Sequence, residues 1–256
     1  MANMIDYIEW RGDIGFDVSP LCEIDALILC QISYLNFQTL VDSEFTKKGL
    51  PLSRLSELFF SSPDFETRKD VGALINAKTV NLLRVAGESK RFSALKVCGY
   101  VDKIDLNSEE QFSAITFVSP FGWNFVAFRG TDDTIVGWKE DFNLGYMDTV
   151  PAQEDALRYF EKATASLKGS FYVGGHSKGG NLALYAASYA QQSSKKHLLA
   201  VFNNDGPGFK ESFFESEAFK SIKNIQHTYV PELSIVGMLF AHADGYITVK
   251  SDQKEC

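Results

Sequence analysis

Apolar residues recur at helical spacing through residues 23–37, where Ile24, Leu27, Ile28, Ile32 and Leu35 share one face. The same period predicts helices over 52–60 and 66–87, the second ending near Gly87. The first 90 residues therefore read as helical. Beyond them the period changes. Leu95–Val101, Gln111–Val118 and Trp123–Phe128 are short runs rich in β-branched and aromatic residues, parted by turn formers at 105–108 and 120–122. This is the pattern of an antiparallel meander. Strands and helices then alternate: a helix over 151–167 opened by Pro151, a strand at Ser170–Val173, a helix over 178–191 and a strand at His197–Asn203. An amphipathic helix over 211–221 and strands near 226–230 and 245–250 complete the series. Strands separated by helices predict a mainly parallel sheet covered on both faces. The expected class is α/β, as one domain over 1–256 with a helical extension at 1–90 and a sheet core at 91–256.

Composition narrows the functions this fold can serve. The net charge of −8 argues against nucleic acid or an anionic membrane as a partner, since both need a basic footprint. The start of the chain lacks the basic and apolar regions of a secretory signal. No stretch of about 20 apolar residues predicts an integral membrane segment. Cys22, Cys30, Cys98 and Cys256 form no C-x-x-C pair and no zinc-like grouping with the four histidines. They read as reduced thiols of a cytoplasmic protein, with no metal and no cofactor expected. The sequence carries no signal for oligomeric state.

The candidate chemistry lies at Gly175-His176-Ser177-Lys178-Gly179. Alone, the three fixed positions of G-x-S-x-G would recur by chance in about one chain in ten of this length. Here a short apolar strand runs into the motif and an Ala/Leu-rich helix leaves it, the setting of a nucleophile elbow. Such a turn forces Ser177 into a strained conformation that only small neighbours tolerate. The Lys178 N–H then becomes one oxyanion-hole donor. A second group, Phe128-Arg129-Gly130-Thr131 followed by Trp138 and Asp141, lies at the end of the preceding strand. Thr131 is placed to give the other donor, through its N–H and hydroxyl. Its alternative is a turn and cap residue. Arg129 and Asp141 read as a structural ion pair, and Asp132 or Asp133 as a helix cap.

Together, these two motifs resemble the class 3, fungal-type lipases, which carry F-R-G-[ST], W-x-x-D and G-H-S-x-G-G in this order. That match covers about residues 95–250. The chain also resembles a bacterial α/β-hydrolase-like family through Trp10-Arg11-Gly12-Asp13, Gly175 to Ala183, Asp205-Gly206-Pro207-Gly208-Phe209 and Ser234-Ile235-Val236-Gly237. This second likeness spans nearly the whole chain. The resemblance implies an α/β-hydrolase fold and a serine hydrolase of carboxylic esters, with a small-molecule or lipid ester as substrate. One departure stands out: the lipases usually have leucine after the serine, and Lys178 puts a cation there, available to an anionic headgroup or a protein carboxylate.

The rest of the triad is less well marked. Ser234 falls where the lipase aspartate would be. The candidate acids are Asp205, just past the strand His197–Asn203, and Glu232 as the alternative. For the base, chain order Ser–Asp–His selects His242. The resemblance instead puts the base after the final strand, beyond Cys256, as expected if the chain lacks its C-terminal end. Without a base, the fold would serve as a catalytically inactive binding or interaction module. Transfer of the acyl group to an acceptor other than water would leave the same motifs. The aromatic stretch with Phe209, Phe213, Phe214 and Phe219 reads as packing against the sheet, with a lid or acyl-binding wall as its alternative.

Overall fold

The computed structural model describes residues 3–72, 75–105, 110–131, 147, 149–242 and 245–250. Eight strands form one sheet in chain order: β1 (Leu50–Pro51), β2 (Lys96–Asp105), β3 (Glu110–Val118), β4 (Trp123–Phe128), β5 (Ser170–His176), β6 (Leu198–Asn204), β7 (Gln226–Pro231) and β8 (Ile247–Val249). The pairings from β1 to β4 are antiparallel and those from β4 to β8 parallel. The meander thus enters a parallel half, as the pattern predicts. Every residue of β3 is buried, as befits a strand covered on both faces.

Strict alternation along the strands sends side chains to two cores. On one face, Ile115, Phe117, Trp123, Phe125, Ala127 and Phe202 meet the helical N-terminal region. That layer contains α1 (Met4–Arg11), α2 (Glu23–Ile32), α3 (Leu52–Ser61), α4 (Phe65–Arg68) and α5 (Lys78–Glu88). On the other, Val126, Phe128, Phe171, Val173 and Val201 meet α6 (Pro151–Ser166) and α7 (Lys178–Tyr189). Two short helices, α9 (Glu211–Glu215) and α10 (Glu217–Lys220), follow α8 (Gln192–Lys195) and extend this second core. Among the described residues, no helix is long and apolar enough to cross a membrane.

Three helices differ from the sequence reading, each for a local reason. α2 stops at Ile32 rather than 37, although neither glycine nor proline intervenes: the Ser33 hydroxyl donates to the Cys30 carbonyl at 2.6 Å and closes the last turn. Leu35 and Phe37 are still fully buried, but from irregular backbone, while Ile24 is exposed. The helix expected over 66–87 is two, because Gly72 adopts φ +76° and its N–H bonds back to the Asp70 carboxylate. The helix expected over 211–221 breaks at Ser216, whose hydroxyl donates to the Phe213 carbonyl and accepts from the Phe219 N–H. No apolar period delimits α1 within the helical first 90 residues, and its signal is a capping box: Asn3 accepts from Ile5 and Asp6 N–H, and Asp6 accepts from Asn3 N–H.

One buried ion pair ties the N-terminal layer together. Arg91 meets Asp25 through two bonds of 2.5 and 2.7 Å, and both side chains are wholly buried. The guanidinium also donates to the carbonyls of Ile14, Ser19 and Pro20, and it stacks on Phe16. Asp25 accepts further bonds from the Tyr7 hydroxyl and the Cys22 N–H. Every lobe of both charges is therefore used.

Candidate active site

β5 ends at His176 and α7 begins at Lys178, leaving Ser177 alone to turn the chain. Its backbone sits at φ 56°, ψ −134°, a conformation costly for any residue with a side chain. The surroundings over-determine it. The Ser177 N–H donates to the Asn204 carbonyl at 2.9 Å, and its own carbonyl accepts from Gly180 N–H at 2.8 Å. A side chain on Gly175 would run into the backbone of Gly179, and one on Gly179 into the Phe128 carbonyl. The glycines are thus a steric requirement of the turn, and the N-terminal N–H groups of α7 open toward Ser177.

The end of β4 lies alongside. A methyl group on Gly130 would strike the Tyr34 hydroxyl and the His176 carbonyl, and would come within 3.1 Å of Ser177 Cβ. Thr131 follows directly and is buried. Its neighbour Arg129 makes a two-pronged ion pair with Asp102, at 2.8 and 3.2 Å. Trp138, Asp141, Asp132 and Asp133 lie outside the described residues.

Lys178 corrects an expectation. Its side chain is 1% exposed, and the ammonium donates to the Gln111 carbonyl at 2.9 Å and to Gln111 Oε1 at 3.1 Å. The cation is committed to the interior beside β3 and does not face an incoming headgroup. Position 178 keeps an apolar site's burial with a polar anchor at its tip.

Asp205 ends β6 at φ 59°, and its N–H donates to the Tyr229 carbonyl. It follows Asn204, which pairs with His176 across the β5–β6 ladder. Burial pushes its carboxyl up, against the pull of the Ser234 hydroxyl and the Gly237 N–H. Of the two candidate acids, Asp205 sets its Oδ1 against Gly237, whose N–H donates to the Ser234 hydroxyl at 2.8 Å. Glu232 is exposed, and its N–H pairs with Val249 at the end of β8.

His242 faces elsewhere. It lines a cavity of about 360 Å³ with Glu211, Phe214, Glu215, Phe219 and Lys223. Burial lowers its pKa, opposed by the carbonyls of Gly237 and Leu239. Among the described residues, no hydrogen bond joins His242 to Ser177 or Asp205. His176 bonds to Tyr34, with 2.9 Å between Nδ1 and the phenol oxygen. Burial lowers its pKa to about 4, so the imidazole is neutral at pH 7. The unfolded chain takes up a proton near pH 6.5 and the folded one only near 4, so stability falls as pH drops through that window. Melting at pH 7 and pH 5 is expected to differ less in His176→Gln than in the wild type, by up to about 1.4 kcal/mol per pH unit.

Buried polar residues that no motif reading singled out hold the site loops. Asn181 of α7 donates to the Pro207 and Gly208 carbonyls at 3.1 and 3.0 Å, and accepts from Gln153 at 2.8 Å. Gln153 in turn accepts from Val150 N–H at the start of α6. The available signal was an asparagine inside the apolar run Gly180-Asn181-Leu182-Ala183. Phe209 and Phe213 stack at 3.8 Å and, with Phe219, are buried against the second core. They pack, as the spacing suggests.

Comparison with known proteins agrees with this geometry at the level of the fold. The M37 lipase superposes with a TM-score of 0.50 at 14% identity, over 86% of this chain and 70% of that one. The native propeptide complex of Rhizomucor miehei lipase gives 0.44 at 17%, over 80% and 68%. A fungal lipase–inhibitor complex gives 0.45 at 16%, over 72% and 70%. The chain has the α/β-hydrolase fold, the fold of the M37 lipase. No curated protein sequence matches it. A family model does, over residues 86–256, which takes in β2 to β8, the Ser177 turn and the Asp205 loop. The chain belongs to the Mbeg1-like family.

Proposed function

We propose that the protein is a serine hydrolase of carboxylic esters, acting through an acyl-enzyme on Ser177. The observation that carries this reading is the strained Ser177 backbone at the strand–helix turn, held between Gly175 and Gly179 with Gly130 against its Cβ. In this reading the N–H groups of Lys178 and Thr131 stabilise the developing oxyanion, and Asp205 is the acid that orients the base. The lipase-like fold supports a small-molecule or lipid ester as substrate. A cytoplasmic setting agrees with the free thiols of Cys22, Cys30 and Cys98.

One observation favours a second reading. Among the described residues, neither Ser177 nor Asp205 has an imidazole bonded to it: His176 is held by Tyr34, and His242 lines the cavity beside Phe214 and Phe219. A hydrolase fold without a base keeps its oxyanion hole but loses most of its rate, so it serves to bind its ligand.

A fluorophosphonate probe separates the two. It is expected to label the wild-type chain at one serine, and Ser177→Ala is expected to abolish the label without lowering the melting temperature. Failure of the wild type to label, with an ester or acyl ligand still retained, supports the binding module.

A further inference from the structure

Tyr34 carries the N-terminal helical layer to the residue before Ser177. Tyr34 lies two residues past the end of α2 and is 6% exposed. Its ring meets His176 edge-on, with centroids 5.8 Å apart and planes at 67°. Its oxygen is 2.9 Å from His176 Nδ1 and 3.3 Å from the His176 carbonyl oxygen, to which the hydroxyl donates. The same oxygen bounds the space at Gly130 into which no side chain fits, beside Ser177 Cβ. The phenol thus touches both halves of the site: the residue before the serine and the loop that leads to Thr131.

We propose that Tyr34 is a positioning residue, clamping the His176–Ser177 peptide and the Gly130–Thr131 loop at a fixed separation. The proposal rests on reading Ser177 as the nucleophile. The physical need for a clamp is plain. Ser177 holds a backbone conformation that persists only when its neighbours over-determine it. The bonds to Asn204 and Gly180 fix its own N–H and carbonyl, and Tyr34 fixes the carbonyl of the residue before it. An oxyanion donor displaced by about 1 Å loses most of its effect, so the spacing between β4 and β5 at this point sets the rate. The neutral imidazole of His176 suits the arrangement, since an uncharged ring leaves the phenol hydroxyl a neutral partner.

Tyr34→Phe removes only the oxygen. It is expected to melt within a few degrees of wild type, while amide hydrogen exchange accelerates about tenfold at 129–131 and 176–178 and nowhere else. Fluorophosphonate labelling is expected to slow about tenfold, with half-saturation by the probe unchanged. Unchanged exchange, faster exchange with unchanged labelling, or protection lost across the whole protein would each overturn the proposal. A wild-type chain that does not label refutes the reading of Ser177 instead. The local exchange result then decides alone whether Tyr34 clamps the loop.

Discussion

Asp25→Ala is expected to cost about 3–5 kcal/mol, enough to remove much of the stability of an ordinary domain. The substitution leaves the Arg91 guanidinium wholly buried, with three backbone carbonyls around it and no counter-charge. It also strands the Tyr7 hydroxyl and the Cys22 N–H, both of which donate to Asp25. Thermal unfolding should show a melting point lower by about 10 °C or more. Replacing both charges, as Asp25→Leu with Arg91→Met, is expected to recover a large part of the loss, because no uncompensated charge remains. A double variant as unstable as Asp25→Ala would mean that the geometry of the pair, and not its charge balance, holds this layer.

Gly175→Ala is expected to reduce fluorophosphonate labelling about a hundredfold while leaving most of the fold intact. The added carbon would overlap the backbone of Gly179, so either β5 or the first turn of α7 must move. Either movement shifts Ser177 relative to Gly130 and Thr131, and hence the nucleophile relative to its oxyanion donors. The core packing of α7 through Leu182, Ala183 and Ala186 lies further along the helix and is untouched. Far-ultraviolet circular dichroism near the wild-type signal, alongside the lost labelling, would place the damage in the turn. Labelling at the wild-type rate would show that the glycine pair does not set the serine's position.

How far the sequence reveals the molecule depends on how local each requirement is. The sheet is legible because Gln111–Val118 and Trp123–Phe128 are rich in β-branched and aromatic residues and parted by turn formers, which suits strands covered on both faces. The turn at Ser177 is legible for a similar reason, since the glycines that permit it stand within two residues. The helix breaks at Gly72 and Ser216 were harder, because each is a short polar bond that outweighs an otherwise continuous apolar period. Tyr34 and the true environment of Lys178 were not legible. Nothing near Tyr34 in the chain announces that its hydroxyl meets His176, and Lys178 reads as a cation beside the site until Gln111 is brought to it. The choice of acid sits between: Asp205 and Glu232 could be weighed one against the other from order alone, but only the fold shows Asp205 buried against the Ser234–Gly237 turn and Glu232 exposed.

Because the strands occupy the sheet in the order they are synthesised, each new one can add beside the last without threading past an existing neighbour. The helices made first have no such luck. Leu29, Leu55, Phe59 and Leu83 share their core with Ile115, Phe117 and Phe125, so a nascent chain that stops short of β4 leaves that apolar layer unroofed.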